Sequence, residues 1–334
     1  MSVPTVTLKD VAQAAGVSIS TASRVLDERG SFSTSAAAVR VRAAADELSY
    51  RRNTAASSLR RGATGTFGVL VPRLSDTVMA LMFEAIERAA RTRGHFALVA
   101  TCGNEPDDEA QATETLLDRN VDAVILATAR VDDRLPESLR RRGIPHVLVL
   151  RTDRVSPSSL GDDEAGGYLA MRHLLDLGHR DIGLINGPTF TSTGQDRRAG
   201  AERALREAGL TLDPELALTT GYGIEHGVAA GRLLLERAHR PTAIFAANDH
   251  LAIGVQTAAR LLGLVPGQGI SIVGYNDIPL VAQLPVPLTS VRTPFDTIAA
   301  TALDLVTSKS VEREPIRRAL PTLIPRASTV RAPL

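Results

Sequence analysis

Between residues 66 and 275 the chain keeps repeating one arrangement. A short run of β-branched and other apolar residues is followed by a longer stretch with apolar residues every three or four positions. TFGVLVP (66–72), HFALVAT (95–101), VDAVILA (121–127) and PHVLVL (145–150) read as strands, and DIGLING (181–187), PTAIFAA (241–247) and GISIVGY (269–275) continue the series. Helical patterns over 78–93, 108–119, 164–177, 195–208 and 250–262 separate them. Runs that are apolar along their whole length are strands buried on both faces, and alternation with helices calls for mostly parallel sheets. The spacing therefore predicts an α/β body over 63–334, with two sheets. Ligands of such folds sit beyond the carboxyl ends of the strands.

Enzyme chemistry is missing from those strand ends. There is no G-x-S-x-G, no P-loop lysine motif and no H-E-x-x-H. LLGLVPGQGI (261–270) lies between a helix and a strand and reads as a turn rather than a nucleotide fingerprint. The seven histidines are scattered, and His179 in DLGHRDIG suits fixing a turn better than moving a proton. No nucleophile is paired with a base and no cofactor motif is present, so an enzyme is not expected. The one cysteine, Cys102, excludes a disulfide framework and fits a reducing compartment, and no cysteine–histidine group has zinc spacing. Residues 1–20 lack a secretion signal, and no apolar stretch is long enough to span a bilayer. The expectation is a soluble, cytoplasmic protein with no membrane partner.

A net charge of +1 conceals an asymmetry. Residues 1–62 carry nine Arg/Lys against five Asp/Glu, so the head is basic and the body mildly acidic. Such a head attracts a polyanion without making the whole surface adhesive.

The head reads as three short helices. Thr7 caps the first, with Asp10 reaching back, and Leu8, Val11, Ala12 and Ala15 make one apolar face. Gly16 stops it, because glycine tolerates a left-handed backbone. Ser18 caps the second helix, which turns Ala22, Val25 and Leu26 inward. The third runs from about Thr34, which can cap it, to Ser49 and buries Val41, Ala45 and Leu48. Two helices joined by a glycine-containing turn form a helix-turn-helix, whose second helix can enter the major groove of double-stranded DNA. Ile19, Ser20 and Arg24 then face base edges, while Ser18, Thr21 and Ser23 suit phosphates. In RRNTAASSLRR (51–61), Asn53 can cap a helix with Ala55, Ala56 and Leu59 on one side. A helix so short needs a partner or DNA to form.

TLKDVAQAAGVSISTASRVLDE (7–28) resembles the N-terminal signature of the LacI/GalR family of transcriptional regulators, and the likeness continues through VRAAADELSYRRNTAASSLRRG (41–62). The resemblance implies a helix-turn-helix head over 1–50, a hinge helix and linker over 51–62, and a two-lobed sensor of the periplasmic-binding-protein type I fold over 63–334. It implies that Ile19 and Ser20 choose the operator with help from Arg24. It also implies that two hinge helices pair in the minor groove, with Asn53 and Ala56 on the helix and Leu59 wedged into the central base step. The chain departs from the family pattern with Arg52 in place of a proline and Ser57 in place of an arginine. It departs again in SFSTSAAAV (31–39), where Ala37 and Ala38 remove a phosphate-binding arginine.

HLLDLGHRDIGLINGP (173–188), AANDHLAIG (246–254) and PGQGISIVGYNDIPL (266–280) match the sensor. By that resemblance Arg197, Asn248, Asn276 and Asp277 face an effector. For Arg197 a simple bridge to Asp196 or Asp277 is the competing reading. The loop SDTVMA (75–80) offers Val78 and Met79 where relatives place aromatics, leaving Phe190 and Tyr222 for stacking. This shifts the balance from a hexose toward an aliphatic or acidic metabolite. A sugar and a small carboxylated or phosphorylated compound both stay open.

The resemblance implies a homodimer on a pseudo-palindromic operator. Effector binding would alter the hinge segments and thereby operator affinity. Repression is the family default, and either an inducer or a corepressor fits. FEAIERAAR (83–91) has spacing suited to a dimer face or to its own sheet, and PRASTVRAPL (325–334) carries no leucine heptads of a tetramer tail. The competing reading from another class is a metabolite- or sugar-binding receptor with no DNA role.

Overall fold

The computed structural model describes residues 6–26, 33–50, 63–308 and 315–333. The chain divides into two compact units, 1–65 and 66–334.

The first unit contains α1 (Leu8–Ala14), α2 (Ile19–Val25) and α3 (Ala36–Glu47). Thr7 and Asp10 form the expected reciprocal cap: Thr7 N donates to Asp10 Oδ2 at 2.8 Å and Asp10 N to Thr7 Oγ1 at 3.4 Å. Gly16 has φ +64°. The helices meet through Val11, Ala12, Ala15, Ala22, Val41, Ala44 and Ala45, all buried. Leu8, Val25, Leu26 and Leu48 pack around this centre, partly buried. Small residues let three short helices approach closely, and Arg40 Nε adds a bond to Ala15 O at the end of α1. Thr34 is not the cap of α3. Ser35 holds that place, its side chain accepting from Ala38 N at 3.3 Å, and the helix starts two residues later than expected.

The second unit is α/β, with two lobes. The first lobe contains β1 (Thr66–Val71), α4 (Thr77–Thr92), β2 (Phe96–Thr101), α5 (Pro106–Leu117), β3 (Ala123–Leu126), α6 (Leu135–Arg141), β4 (His146–Val149) and β5 (Ser158–Gly161). The chain then builds α7 (Asp163–Asp176), β6 (Ile182–Asn186), α8 (Ser192–Glu207), β7 (Ala217–Thr219), α9 (Ile224–Leu235), β8 (Ala243–Ala246), α10 (Asp249–Leu261), β9 (Ser271–Asn276) and β10 (Thr289–Arg292) in the second. It returns to the first lobe for α11 (Phe295–Thr307) and β11 (Ile316–Ala319), and ends in the second with β12 (Thr322–Ile324). The sheet orders are β11-β5-β4-β3-β1-β2 and β12-β10-β9-β8-β6-β7. All pairings are parallel except β10 with β12. Three crossings therefore link the lobes, near residues 162, 293 and 320.

The central strands of both sheets are covered on both faces, which is why most of them read as continuous apolar runs. In β1, Val69 and Val71 face the side covered by α4, and Leu70 packs opposite with Leu116 of α5 and Leu139 of α6. In β8, Phe245 packs with α7 and α8, while Ile244 and Ala246 face the other side with α9 and α10. In α4, Met82, Ile86 and Ala90 are buried inside the lobe, so the spacing seen in 83–91 is used on the helix's own sheet. His179 is a buried tie, meeting Thr242 Oγ1 (2.9 Å), Ser271 Oγ (3.0 Å) and Val330 O (3.0 Å). The stretch 261–270 is a turn, with Gly263 and Gly267 at positive φ. Among the described residues no helix is long and apolar enough to cross a membrane, and no group of three or more His, Cys, Asp or Glu could hold a metal ion.

Candidate DNA-binding and effector sites

The exposed side of α2 follows from how the helix is pinned. Ala22 is fully buried against α1 and α3, so the residues on the opposite side face outward. Ile19 is 48% exposed, a high value for an isoleucine, and Ser20 and Arg24 are exposed as well. Thr21 and Ser23 are half-buried. Ser18 Oγ accepts from Thr21 N at 3.1 Å and lies 2.9 Å from Ser20 Oγ and 2.8 Å from Thr21 Oγ1. Its oxygen is thus occupied in starting the helix, leaving Ile19, Ser20 and Arg24 as the exposed groups of this face, with the Ser20 hydroxyl bonded to Ser18. Asn53, Ala56 and Leu59, with the departures Arg52 and Ser57, lie outside the described residues.

In the second unit, residues just beyond the strand ends line a cleft between the lobes. Its outer cavity, about 370 Å³, is walled by Arg73, Asp76 and Arg151 from the first lobe and by Phe190, Tyr222 and His250 from the second, among others. A smaller recess of about 40 Å³ shares Asp76, Arg151 and Tyr222 with it and reaches Val78, Met79, Arg197, Asn248 and Asn276. These positions follow β1, β4, β6, β7, β8 and β9, as the strand-end rule requires. Polar bridges span the cleft's edge: Arg154 pairs with Asp196 at 2.6 Å, and Thr152 N donates to Ser192 Oγ at 3.0 Å.

The sequence-derived residues divide by how far they are already engaged. Arg197, 6% exposed, donates from Nε to Asp163 Oδ1 at 2.8 Å and from Nη1 to Ala247 O at 2.6 Å. Its guanidinium lies 3.7 Å from the Tyr275 ring centroid. Its anion is therefore Asp163, and neither Asp196 nor Asp277. Burial alone would lower its pKa, but Asp163 and Tyr275 more than restore it, so the guanidinium is held above its ordinary range. Asn248 caps α10, accepting from Leu251 N at 2.8 Å, and donates to Tyr222 O at 3.1 Å. Asn276 sits at φ +103° and accepts from Thr293 Oγ1 at 3.1 Å, which leaves its amide nitrogen to the recess. A left-handed non-glycine residue at a strand end is the kind of strain that marks binding sites.

Asp277 differs from the others. Its carboxylate is buried between Arg292 (2.7 Å) and Arg326 (2.6 Å) and lies in neither cavity wall. The expected ligand contact is an internal ion pair. Phe190 has one face under Arg130, 3.9 Å from the ring centroid, and Tyr222 is oriented by Thr191 and Thr193 at 3.1 and 3.0 Å. Arg151, Asp76 and His250 line the cleft as well, and neither motif nor resemblance assigns them to it. Arg151 carried a signal: it is a charged residue directly after PHVLVL, at the carboxyl end of a buried strand.

Two segments of the chain match separate family models. Residues 7–53 match the bacterial regulatory proteins, lacI family, and residues 171–329 match the periplasmic binding protein-like domain. The chain is 33% identical to the HTH-type transcriptional repressor PurR of Erwinia tasmaniensis, with 98% of each chain covered. The chain belongs to the LacI family. It is 32% identical to the ribose operon repressor of Escherichia coli strain K12, over 90% of this chain and 92% of that one. A Lac repressor dimer bound to operator and the anti-inducer ONPF has the same fold, at 27% identity and a TM-score of 0.85, with 98% of this chain and 99% of that one covered. A CelR–cellobiose complex matches at 28% identity and a TM-score of 0.73, over 97% of this chain and all of that one. The LacI-family chain described here is a sequence-specific DNA-binding regulator whose DNA affinity is controlled by an effector held in its sensor.

Proposed function

We propose that this regulator is a homodimeric repressor that reads a pseudo-palindromic operator with Ile19, Ser20 and Arg24 and releases or tightens it on binding a small metabolite. The observation that carries the reading is the exposed α2 face, where an isoleucine, a serine and an arginine stand in solvent on a helix anchored from behind by Ala22. An isoleucine can contact thymine methyl groups, and an arginine can fork onto guanine or grip phosphate. Dimerisation is supported by the operator-bound Lac repressor dimer, which shares nearly the whole chain. Two heads on a two-fold axis match a site with the same symmetry. The hinge role assigned to Asn53, Ala56 and Leu59 belongs to the same proposal. The effector's place is the inter-lobe cleft, with Arg197, Asn248 and Asn276 at its base and Val78, Met79 and Phe190 as apolar wall.

The test is selection of sites from a randomised duplex library by the pure protein, repeated with metabolite extract from cells. A short palindrome with a flexible central step is the expected product. Arg24→Ala should weaken binding to that site roughly 10- to 100-fold, the value of one bidentate base contact. If both selections return random sequence, the reading of a palindromic operator by Ile19, Ser20 and Arg24 fails.

A further inference from the structure

The cleft contains two buried arginines with different surroundings. Arg197 has a carboxylate, a carbonyl and an aromatic face within the chain. Arg151, only 8% exposed, has no hydrogen-bond or ion-pair partner for its guanidinium among the described residues. The Tyr222 ring centroid is 5.9 Å away, at the far limit of a cation–π contact. Asp76 and Glu109 act on Arg151 through space, beyond ion-pair distance. Asp76 is already the cap of α4, accepting from Val78 N at 2.9 Å, and Glu109 is held by Thr128. At the mouth Glu225 lies 3.1 Å from His226, and Arg73 adds a second positive charge to the outer wall.

A buried charge without a partner is costly, and folded chains rarely leave one unless something else meets it. The guanidinium stands where the outer cavity and the inner recess join, because it lines both. Its planar fork suits the paired oxygens of a carboxylate or a phosphate. We propose that Arg151 is the anchoring subsite for an anionic group of the effector, so that the effector is a carboxylated or phosphorylated small molecule and not a neutral sugar. This rests on the cleft being the effector site. A cavity of about 370 Å³ accommodates such a molecule, of one ring or a short chain. Burial pushes the pKa of Arg151 down, and an arriving anion would reverse that shift.

The experiment uses the full chain, with Arg151→Gln and Arg151→Lys beside it. In chloride buffer with no probe, Arg151→Gln should melt at the same temperature as the parent or higher, since it removes an unmet charge. A drop of several degrees would reveal a structural tie and overturn the proposal. Calorimetric titration then compares ribose with ribose 5-phosphate and glucose with gluconate. The charged member of a pair should bind and its neutral counterpart should not. Arg151→Gln should weaken that binding about 10- to 100-fold, and Arg151→Lys should recover part of it. Whichever pair responds distinguishes phosphate from carboxylate. Equal binding of neutral and charged members, equal binding by Arg151→Gln, or no response to either charged probe at millimolar concentration overturns the proposal. Operator selection with Arg151→Gln and no probe keeps the two readings apart. If the titration overturns the anion subsite, recovery of the palindrome there shows that the regulator reading still stands.

Discussion

Glu109 shows how burial and pKa are linked at a single residue. It is 5% exposed, and burial first, then Asp133, push its carboxyl from an ordinary 4.5 to about 7, against the opposing effects of Thr128, Arg130 and Arg151. The folded chain therefore holds a proton that the unfolded chain has lost in that window. Stability falls as pH rises from about 4.5 to about 7 and this contribution levels off above it. Glu109→Gln should flatten that slope and raise the melting temperature above neutrality relative to the parent, which thermal melts across the window will show. Asp277 shows burial resolved by pairing instead, its carboxylate bridged to two arginines. Asp277→Asn should cost about 3 kcal/mol in denaturant melts, the loss from breaking a buried ion pair, while effector affinity measured by titration stays within twofold or so. The two residues also mark what sequence can show. The Thr7–Asp10 cap is local, three residues apart, and could be read directly. The partners of Asp277 lie 15 and 49 positions away, at Arg292 and Arg326, and only the folded sheet brings them together. The same holds for Arg197, whose place the resemblance supplied but whose anion, Asp163, it did not.

Helix pairing in the second lobe depends on missing side chains. A Cβ on Gly200 of α8 would lie 1.9 Å from Glu164 O of α7, and one on Gly167 of α7 would lie 2.0 Å from Arg197 O of α8. Gly227 and Gly254 stand in the same relation between α9 and α10, each meeting the other helix's backbone at 2.3 Å. Backbone cannot yield as a side-chain tip can, so Gly200→Ala should destabilise by about 3 kcal/mol in denaturant melts. It should also weaken effector binding, because α8 carries Arg197. This packing was not visible in the sequence, where glycine in a helix reads only as a weak former. The elements themselves were more legible. Seven strands stand out as apolar runs, six because both faces of the sheet are covered there, while β2 is an edge strand that is half-exposed, with Phe96 largely in solvent. β5 (SSLG), buried through small and hydroxyl residues, has no such run. β7, β11 and β12 are short, partly exposed edge elements. α11 buries Ile298, Ala299, Ala302 and Leu303 at helical spacing and was readable in principle. Its placement in the first lobe, after the second lobe's strands, was not.

At the scale of the whole molecule, charge is divided between the units, with the basic excess in residues 1–62. Operator affinity should therefore fall steeply with salt, by about a thousandfold or more between roughly 50 and 200 mM if six or more phosphates are neutralised. A filter-binding series on the selected palindrome measures the slope. Effector binding in the cleft should depend on salt far less, because a largely buried contact is weakly screened. The three passages of the chain between the lobes have a consequence for anyone who wishes to re-engineer the sensor. Residues 158–161 are hydrogen-bonded to residues 316–319, so neither lobe is a contiguous stretch of gene. Grafting one lobe from a relative takes several simultaneous splices, at the crossings near 162, 293 and 320, and a transplant made with a single junction would arrive without its edge strand.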